Sequence, residues 1–184
     1  MSTSTSLLYY PSTLEEWAVT EKEYLRQHPE YDCVCTGVVV FNEDGKLLLV
    51  QRAANEMAFP DFWEIPGGKV DDTDETILHA AARELKEEAG LEATRVVRRV
   101  TQFTFVDGRP GKPTKTWLKL IFEMEVQNID NIVLEPTEHQ HHTFASEEEV
   151  TNDLVKDIKL VYISPPNKAV KLEAFRLRRE GLSS

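Results

Sequence analysis

The stretch that most constrains this chain is a glycine pair followed by a helix with three acidic residues on one face. Residues 63–91 open with Trp-Glu-Ile-Pro-Gly-Gly-Lys and close with His-Ala-Ala-Ala-Arg-Glu-Leu-Lys-Glu-Glu-Ala-Gly-Leu, joined by an acidic connection. Ile77, Leu78, Ala81, Ala82 and Leu85 recur at helical spacing and predict an apolar stripe. Thr73 or Asp74 is placed to cap this helix, with acidic residues in its first turn to suit the dipole, and Gly90 is placed to end it. Glu84, Glu87 and Glu88 fall at i, i+3 and i+4, so they share a face. Like charges at that spacing destabilise a helix by roughly 0.2–0.5 kcal/mol per pair. A hard divalent cation takes oxygen ligands and would cancel the repulsion. The plainer account is a solvated acidic face, partly neutralised by Arg83 at i, i+4 from Glu87. Pro66-Gly67-Gly68 just upstream favours a site, because a glycine pair lets a backbone carbonyl come close to a ligand.

These residues resemble a known signature. Arg83-Glu84-Leu85-Lys86-Glu87-Glu88-Ala89-Gly90-Leu91 matches the second part of the Nudix box at every fixed position, and Gly68 and Glu75 match its opening glycine and first glutamate. The chain is identified on these residues as a member of the Nudix hydrolase family, of MutT-like type. Two departures stand out. The spacing from Gly68 to Glu75 is one residue longer than the family's, and Asp74 stands where the family usually has glycine. An extra residue inside the helix would turn the carboxylates off their face by about 100°, whereas in a loop it costs little. The insertion is therefore placed in Val70–Asp74, and the role of Glu75 depends on that loop.

The resemblance implies an α/β architecture, the Nudix fold, with a mixed β-sheet sandwiched between helices over about residues 31–179. It implies that Glu84, Glu87 and Glu88 hold Mg²⁺ or Mn²⁺, with the Gly67 carbonyl as a further ligand. Arg83 would orient a carboxylate of the box, which is compatible with an ion pair to Glu87. The proton acceptor would be a helical carboxylate or Glu138, since Glu138 followed by Phe144-Ala145-Ser146 resembles the place where many of these enzymes set a loop acid before an aromatic strand.

Length and composition agree with one well-buried domain plus a small extension: 184 residues, 41% hydrophobic. Residues 1–30 read as an N-terminal extension with a short amphipathic helix, and residues 31–184 as the hydrolase domain. The net charge of −11 speaks against a nucleic-acid-binding surface. It does not speak against a phosphate substrate, because a bound cation reverses the local sign. Cys33 and Cys35 alternate on a strand-like run and read as reduced core thiols. No apolar run is long enough to span a bilayer, and the first residues lack a signal peptide's basic start and apolar centre. The expectation is a cytoplasmic monomer or homodimer acting on a small nucleotide, away from nucleic acid and membrane.

Along the chain, residues 1–11 are Ser/Thr-rich and expected to be loose. Ser12 or Thr13 caps a helix that carries Leu14, Trp17, Ala18, Tyr24 and Leu25 on one side and stops at His28-Pro29. That helix either packs on the core or serves as an oligomer arm or lid. Residues 33–41 and 46–51 predict two strands of a hairpin about Asn42-Glu43-Asp44-Gly45. Residues 95–106 and 116–126 predict long strands joined by a mobile, basic loop at 107–113. Thr143-Phe144-Ala145 is a short strand, and Ser146 with Glu149 forms a capping box. Ser164-Pro165-Pro166-Asn167 starts the last helix.

Arg52 and Lys69 are candidate phosphate contacts, Arg as a bidentate fork and Lys as a point charge. Asn167 either caps the last helix or, by resemblance to the branch acting on oxidised purine nucleotides, reads a base. Trp63 or Phe62 either packs in the core or stacks on a base. His139, His141 and His142 lie beside Glu138: three histidines in four residues either bind metal, act as bases or touch substrate, or, on the plainer reading, form a solvated loop, since carboxylates already provide a site for a hard ion. The expected reaction is cleavage of an (oxidised) nucleoside triphosphate to monophosphate and pyrophosphate. The alternatives are an ADP-ribose or NDP-sugar pyrophosphatase, and a non-catalytic module that binds a nucleotide or a protein.

Overall fold

The computed structural model describes residues 7–108, 111 and 113–182. Residues 1–6 of the Ser/Thr-rich start, and Arg109, Pro110 and Lys112 of the basic loop, lie outside the described residues.

The chain opens with a 3₁₀ turn at Ser12–Trp17 and helix α1 at Glu21–Gln27. Strands β1 (Cys33–Val39), β2 (Leu47–Arg52) and β3 (Trp63–Glu64) precede helix α2 (Ile77–Ala89). Strands β4 (Ala93–Asp107), β5 (Lys115–Val126) and β6 (His139–Ala145) follow, then helix α3 (Glu147–Thr151). A small hairpin of β7 (Leu154–Val155) and β8 (Ile158–Lys159) leads to helix α4 (Pro165–Leu182).

Two three-stranded sheets lie between helices, the α/β arrangement expected. One has the order β1-β5-β4, with β1 parallel to β5; the other has the order β3-β2-β6 and is antiparallel. Strand β1, most of β2 and the centre of β5 are buried on both faces, which is why these strands read as near-continuous apolar runs. Leu118, Leu120 and Phe122 of β5 and Leu48 of β2 turn to the core shared with α2 and the N-terminal segment. Ile121, Leu47 and Leu49 turn to the core shared with α3 and α4. Cys33 and Cys35 are buried free thiols.

The predicted hairpin of β1 and β2 is corrected. The turn at 42–45 forms, with Phe41 and Leu47 in an isolated bridge, but the strands then part into different sheets. Each is apolar on both faces, and each gains more by pairing inside its own sheet than along the other. The partner that β1 takes on its free edge is the segment 66–70: Thr36 N donates to Gly68 O, Val38 N to Pro66 O, and Val70 N to Val34 O. That segment ties the two sheets together.

The single N-terminal helix expected from Ser12 is also corrected to two pieces, since the second is capped by Thr20, whose side chain accepts from Glu23 N. Leu14, Trp17 and Tyr24 are buried in the α2 core, and Tyr9 bridges β4 at Arg95. No helix among the described residues is long and apolar enough to cross a membrane.

Trp17 packs edge-on against Phe122 at 5.9 Å, with the Arg99 guanidinium over its ring. Trp17→Ala is expected to lower stability by about 3–5 kcal/mol. Urea unfolding followed by circular dichroism measures it, and a cost near zero would mean that this segment is not part of the core.

Candidate active site

The site begins where the 66–70 segment presses on β1. Gly67 has φ +148, and a Cβ there would lie 2.2 Å from Thr36 O. Gly68 faces the other way, and a Cβ on it would lie 2.5 Å from the Glu84 carboxylate. The two glycines thus serve different ends: the first admits the backbone of β1 and the second admits an acid from α2.

Helix α2 starts later than its sequence suggested. Thr76 is the cap, accepting from His79 N, and Thr73 and Asp74 lie before it. The reason is that Asp74 is engaged elsewhere, binding Arg83 Nε at 2.8 Å and Nη2 at 2.9 Å. Arg83 also reaches Lys69 O at 3.1 Å, Glu84 at 2.8 Å and Glu87 at 2.8 Å. One guanidinium therefore fastens the lengthened loop to the helix. Hydrogen bonding to Asp74 raises the Arg83 pKa further, while burial alone would hold Asp74 up and Arg83 more than offsets that, so Asp74 is lowered. Glu75 is exposed and pairs with His79.

The three helical carboxylates share a face but not an environment. Glu88 is buried, and its Oε2 accepts from Gly67 N at 2.7 Å. Burial pushes its carboxyl up to about 9, against the pull of that N–H, and Glu64, Glu84 and Glu138 add to the rise. Glu84 is half-buried and also raised, by burial first. Glu87 is 58% exposed and bound to Arg83. The acids Glu64 and Glu138 face the same place from other elements, Glu64 from β3 and Glu138 from the turn before β6.

One residue here was not singled out by sequence, and a second was read differently. Glu64 is buried and receives Arg52 Nη1 at 2.9 Å and His139 Nε2 at 3.1 Å. Burial alone would raise its pKa, but His139, Lys119 and Arg52 together hold it below the usual carboxylate range. The available signal was an acid between two core residues, Trp63 and Ile65, which needs a buried partner. His139 corrects the reading of the histidines as a solvated loop: β6 starts at His139, not Thr143, and pairing with Arg52 carries His139 inside while His141 and His142 stay exposed. One ligand atom each from Glu88, Glu138 and His139 lies within 4.8 Å of the others, so this group could hold a metal ion.

Beside the acids lies a cavity of about 560 Å³ lined by Arg52, Phe59, Phe103, Phe105, Lys119 and Asn167 among others. Arg52 belongs to both places, since it binds Glu64 and Glu56 while lining the cavity. Asn167 sits in the first turn of α4, past the capping position, with Nδ2 donating to Ser164 Oγ at 2.8 Å. Lys69 is exposed on the far side of the turn and does not line this cavity. Trp63 is buried in the α4-side core, and Phe62 packs on Phe59.

Residues 33–163 match the family model described as NUDIX domain. An RNA pyrophosphohydrolase of Bartonella quintana (strain Toulouse) is 35% identical over 99 residues, which cover 50% of this chain and 55% of that one. A CTP pyrophosphohydrolase of Escherichia coli (strain K12) is 47% identical over 55 residues, 30% of this chain and 39% of that one. The chain spans about half the length of the first of the curated relatives it matches. The crystal structure of a MutT protein from Methanosarcina mazei Go1 superposes with a TM-score of 0.60 at 23% identity, covering 80% of this chain and 95% of that one.

The glycines separate stability from site geometry. Gly67→Ala meets backbone and an unfavourable φ, and is expected to destabilise by about 1–3 kcal/mol or more. Gly68→Ala meets a movable side chain, and is expected to keep its melting temperature while weakening Mn²⁺ binding, as titration would show. Glu88 gives a pH signature. Unfolded, it loses its proton near 4.5; folded, it keeps it to about 9. The folded state then binds the extra proton between those values, so metal-free stability falls as pH rises through that window, by roughly 1 kcal/mol per pH unit. Thermal melts in a chelator from pH 5 to 9 should show this fall in the wild type and a flatter profile in Glu88→Gln.

Proposed function

This chain belongs to the Nudix family, and we propose on that premise that it is a divalent-metal-dependent hydrolase of phosphoanhydrides in a nucleotide. The observation that carries the reading is Arg52, which joins a carboxylate cluster suited to a metal ion to an aromatic, amide-bearing cavity suited to a nucleoside. The likeness to Nudix pyrophosphohydrolases supports the reaction class.

Cleaving a phosphoanhydride requires that phosphate charge be neutralised, a water aimed in line, and its proton accepted. Glu88, Glu138 and the Gly67 carbonyl would hold Mg²⁺ or Mn²⁺, with Glu84 and Glu87 completing the acidic face. The buried carboxyl of Glu88 and the space left by Gly68 beside Glu84 fit an ion, since a cation would relieve the mutual repulsion of acids packed this closely. When bound, the ion supplies Lewis-acid stabilisation of the phosphate oxygens and lowers the pKa of a water. Glu84 takes the proton. Burial raises its pKa against the pull of Arg83, which also orients it. Arg83 and Asp74 act through that carboxylate and do not touch substrate. Arg52 offers a guanidinium at the cavity mouth to a phosphate, and Asn167 an amide to a base edge. Phe59, Phe103 and Phe105 form aromatic walls for the base. Lys69, exposed on the Gly-Gly turn, would offer a point charge to the phosphate tail rather than to the base.

The substrate favoured is an (oxidised) nucleoside triphosphate, giving monophosphate and pyrophosphate. We read residues 1–30 as an extension of a 31–184 hydrolase domain, and the protein as acting on a small nucleotide, as a monomer or homodimer, in the cytoplasm. A product assay with Mg²⁺ or Mn²⁺ tests the substrate against 8-oxo-dGTP, dGTP, CTP, ADP-ribose and a 5′-triphosphorylated RNA oligonucleotide. One nucleotide should stand out. Glu88→Gln should lose both metal binding and turnover. Glu84→Gln should still bind metal but fall by roughly 10²–10⁴ in kcat, the loss of a general base. Metal binding with no turnover of any substrate would leave a nucleotide-binding module instead.

A further inference from the structure

His139 is a buried group to which the proposed reaction gives no task. It is 2% exposed, directly follows Glu138, and opens β6. Its Nε2 lies 3.1 Å from Glu64 Oε1, and Glu64 is in turn bound by Arg52 at 2.9 Å. A carboxylate held by a guanidinium is an acceptor, so Nε2 carries the proton and Nδ1 presents a lone pair. That Nδ1 is buried with no hydrogen-bond partner among the described residues. An orphaned polar atom of this kind is costly to bury unless something meets it.

The imidazole ring itself lies among acids. A ring nitrogen of His139 and oxygens of Glu88 and Glu138 all fall within 4.8 Å of one another. Ligands on opposite sides of a small divalent ion stand about 4–4.4 Å apart, so the spread is close to that of a single coordination sphere. Glu87 is paired with Arg83. A metal-bound histidine nearly always donates its other N–H to a carboxylate, which fixes the ring and raises its basicity. The Arg52–Glu64–His139 chain is built that way.

We propose that His139 ligates the divalent ion through Nδ1, beside Glu88 and Glu138, so that the site favours a first-row transition ion such as Mn²⁺ or Co²⁺ over Mg²⁺. The preference follows from the donors: imidazole suits transition ions, whereas Mg²⁺ favours oxygen and retained waters. The inference rests on the reading that the acidic cluster holds a metal, and it changes the donor set from all-oxygen to mixed.

The test is electron spin-echo envelope modulation of the wild-type protein loaded with Mn²⁺. The expected spectrum shows coupling to a directly bound ¹⁴N, and His139→Gln removes it. Calorimetric titration should show wild type binding Co²⁺ more tightly than Mg²⁺, with His139→Gln narrowing that preference roughly tenfold or more. Mn²⁺ bound without ¹⁴N coupling overturns the inference and leaves the carboxylate metal site standing. No binding of Mn²⁺, Co²⁺ or Mg²⁺ overturns both. Coupling without turnover upholds the inference while the hydrolase reading falls. Because the wild-type spectrum decides ligation, the outcome does not depend on His139→Gln folding.

Discussion

The site depends on one close approach, that of the Gly67 backbone to β1 at Thr36. Segment 66–70 serves as an edge partner for β1, and this brings the Gly67 N–H to Glu88 and turns Gly68 towards Glu84. Any side chain at Gly67 would force the segment off β1, and the two sheets would lose the link that sets β3 and its Glu64 against α2. The glycine pair is thus a structural joint before it is a part of the chemistry.

From that joint follows an excess of negative charge. Glu64, Glu84, Glu88 and Glu138 converge, and each meets the problem differently. Glu64 stays ionised because Arg52 and His139 face it. Glu84 leans on Arg83. Glu88 is buried among other acids, which outweighs its bond from the Gly67 N–H, and so holds its proton to high pH. Glu138, exposed on a turn, is left to solvent. The unequal support leaves four similar acids in four different electrostatic settings, and the roles proposed above for Glu84, Glu88 and Glu138 rest on that difference. The lengthened loop contributes to the same end: Asp74 departs from the family's usual glycine and spends its carboxylate on Arg83, which stiffens the arginine that holds Glu84.

The helix-borne part of the site was legible in the sequence because a period of 3.6 residues places side chains without reference to the rest of the chain. Leu85 in the stripe, Gly90 at φ +71 as the stop, and the long strands at 93–107 and 115–126 all follow from local pattern. What misled was local pattern where tertiary competition decides. Asp74 looks like a cap but has a stronger partner in Arg83 nine residues on. Strands β1 and β2 look like a hairpin because their connection is short, yet each finds a longer partner elsewhere. Three histidines in four residues look solvated, and strand alternation with pairing to Arg52 takes His139 inside.

The sequence by itself determined the family, the α/β class and the acidic face of α2, since these rest on spacing along a single element. Tertiary structure alone decided which acids are buried, that Glu64 and His139 join them from strands far apart in the chain, and that Arg52 and Asn167 meet at one cavity. Those are matters of distance between elements. Burial and pairing, which set whether an acid holds or gives up its proton, exist only once the sheets have closed on the helix.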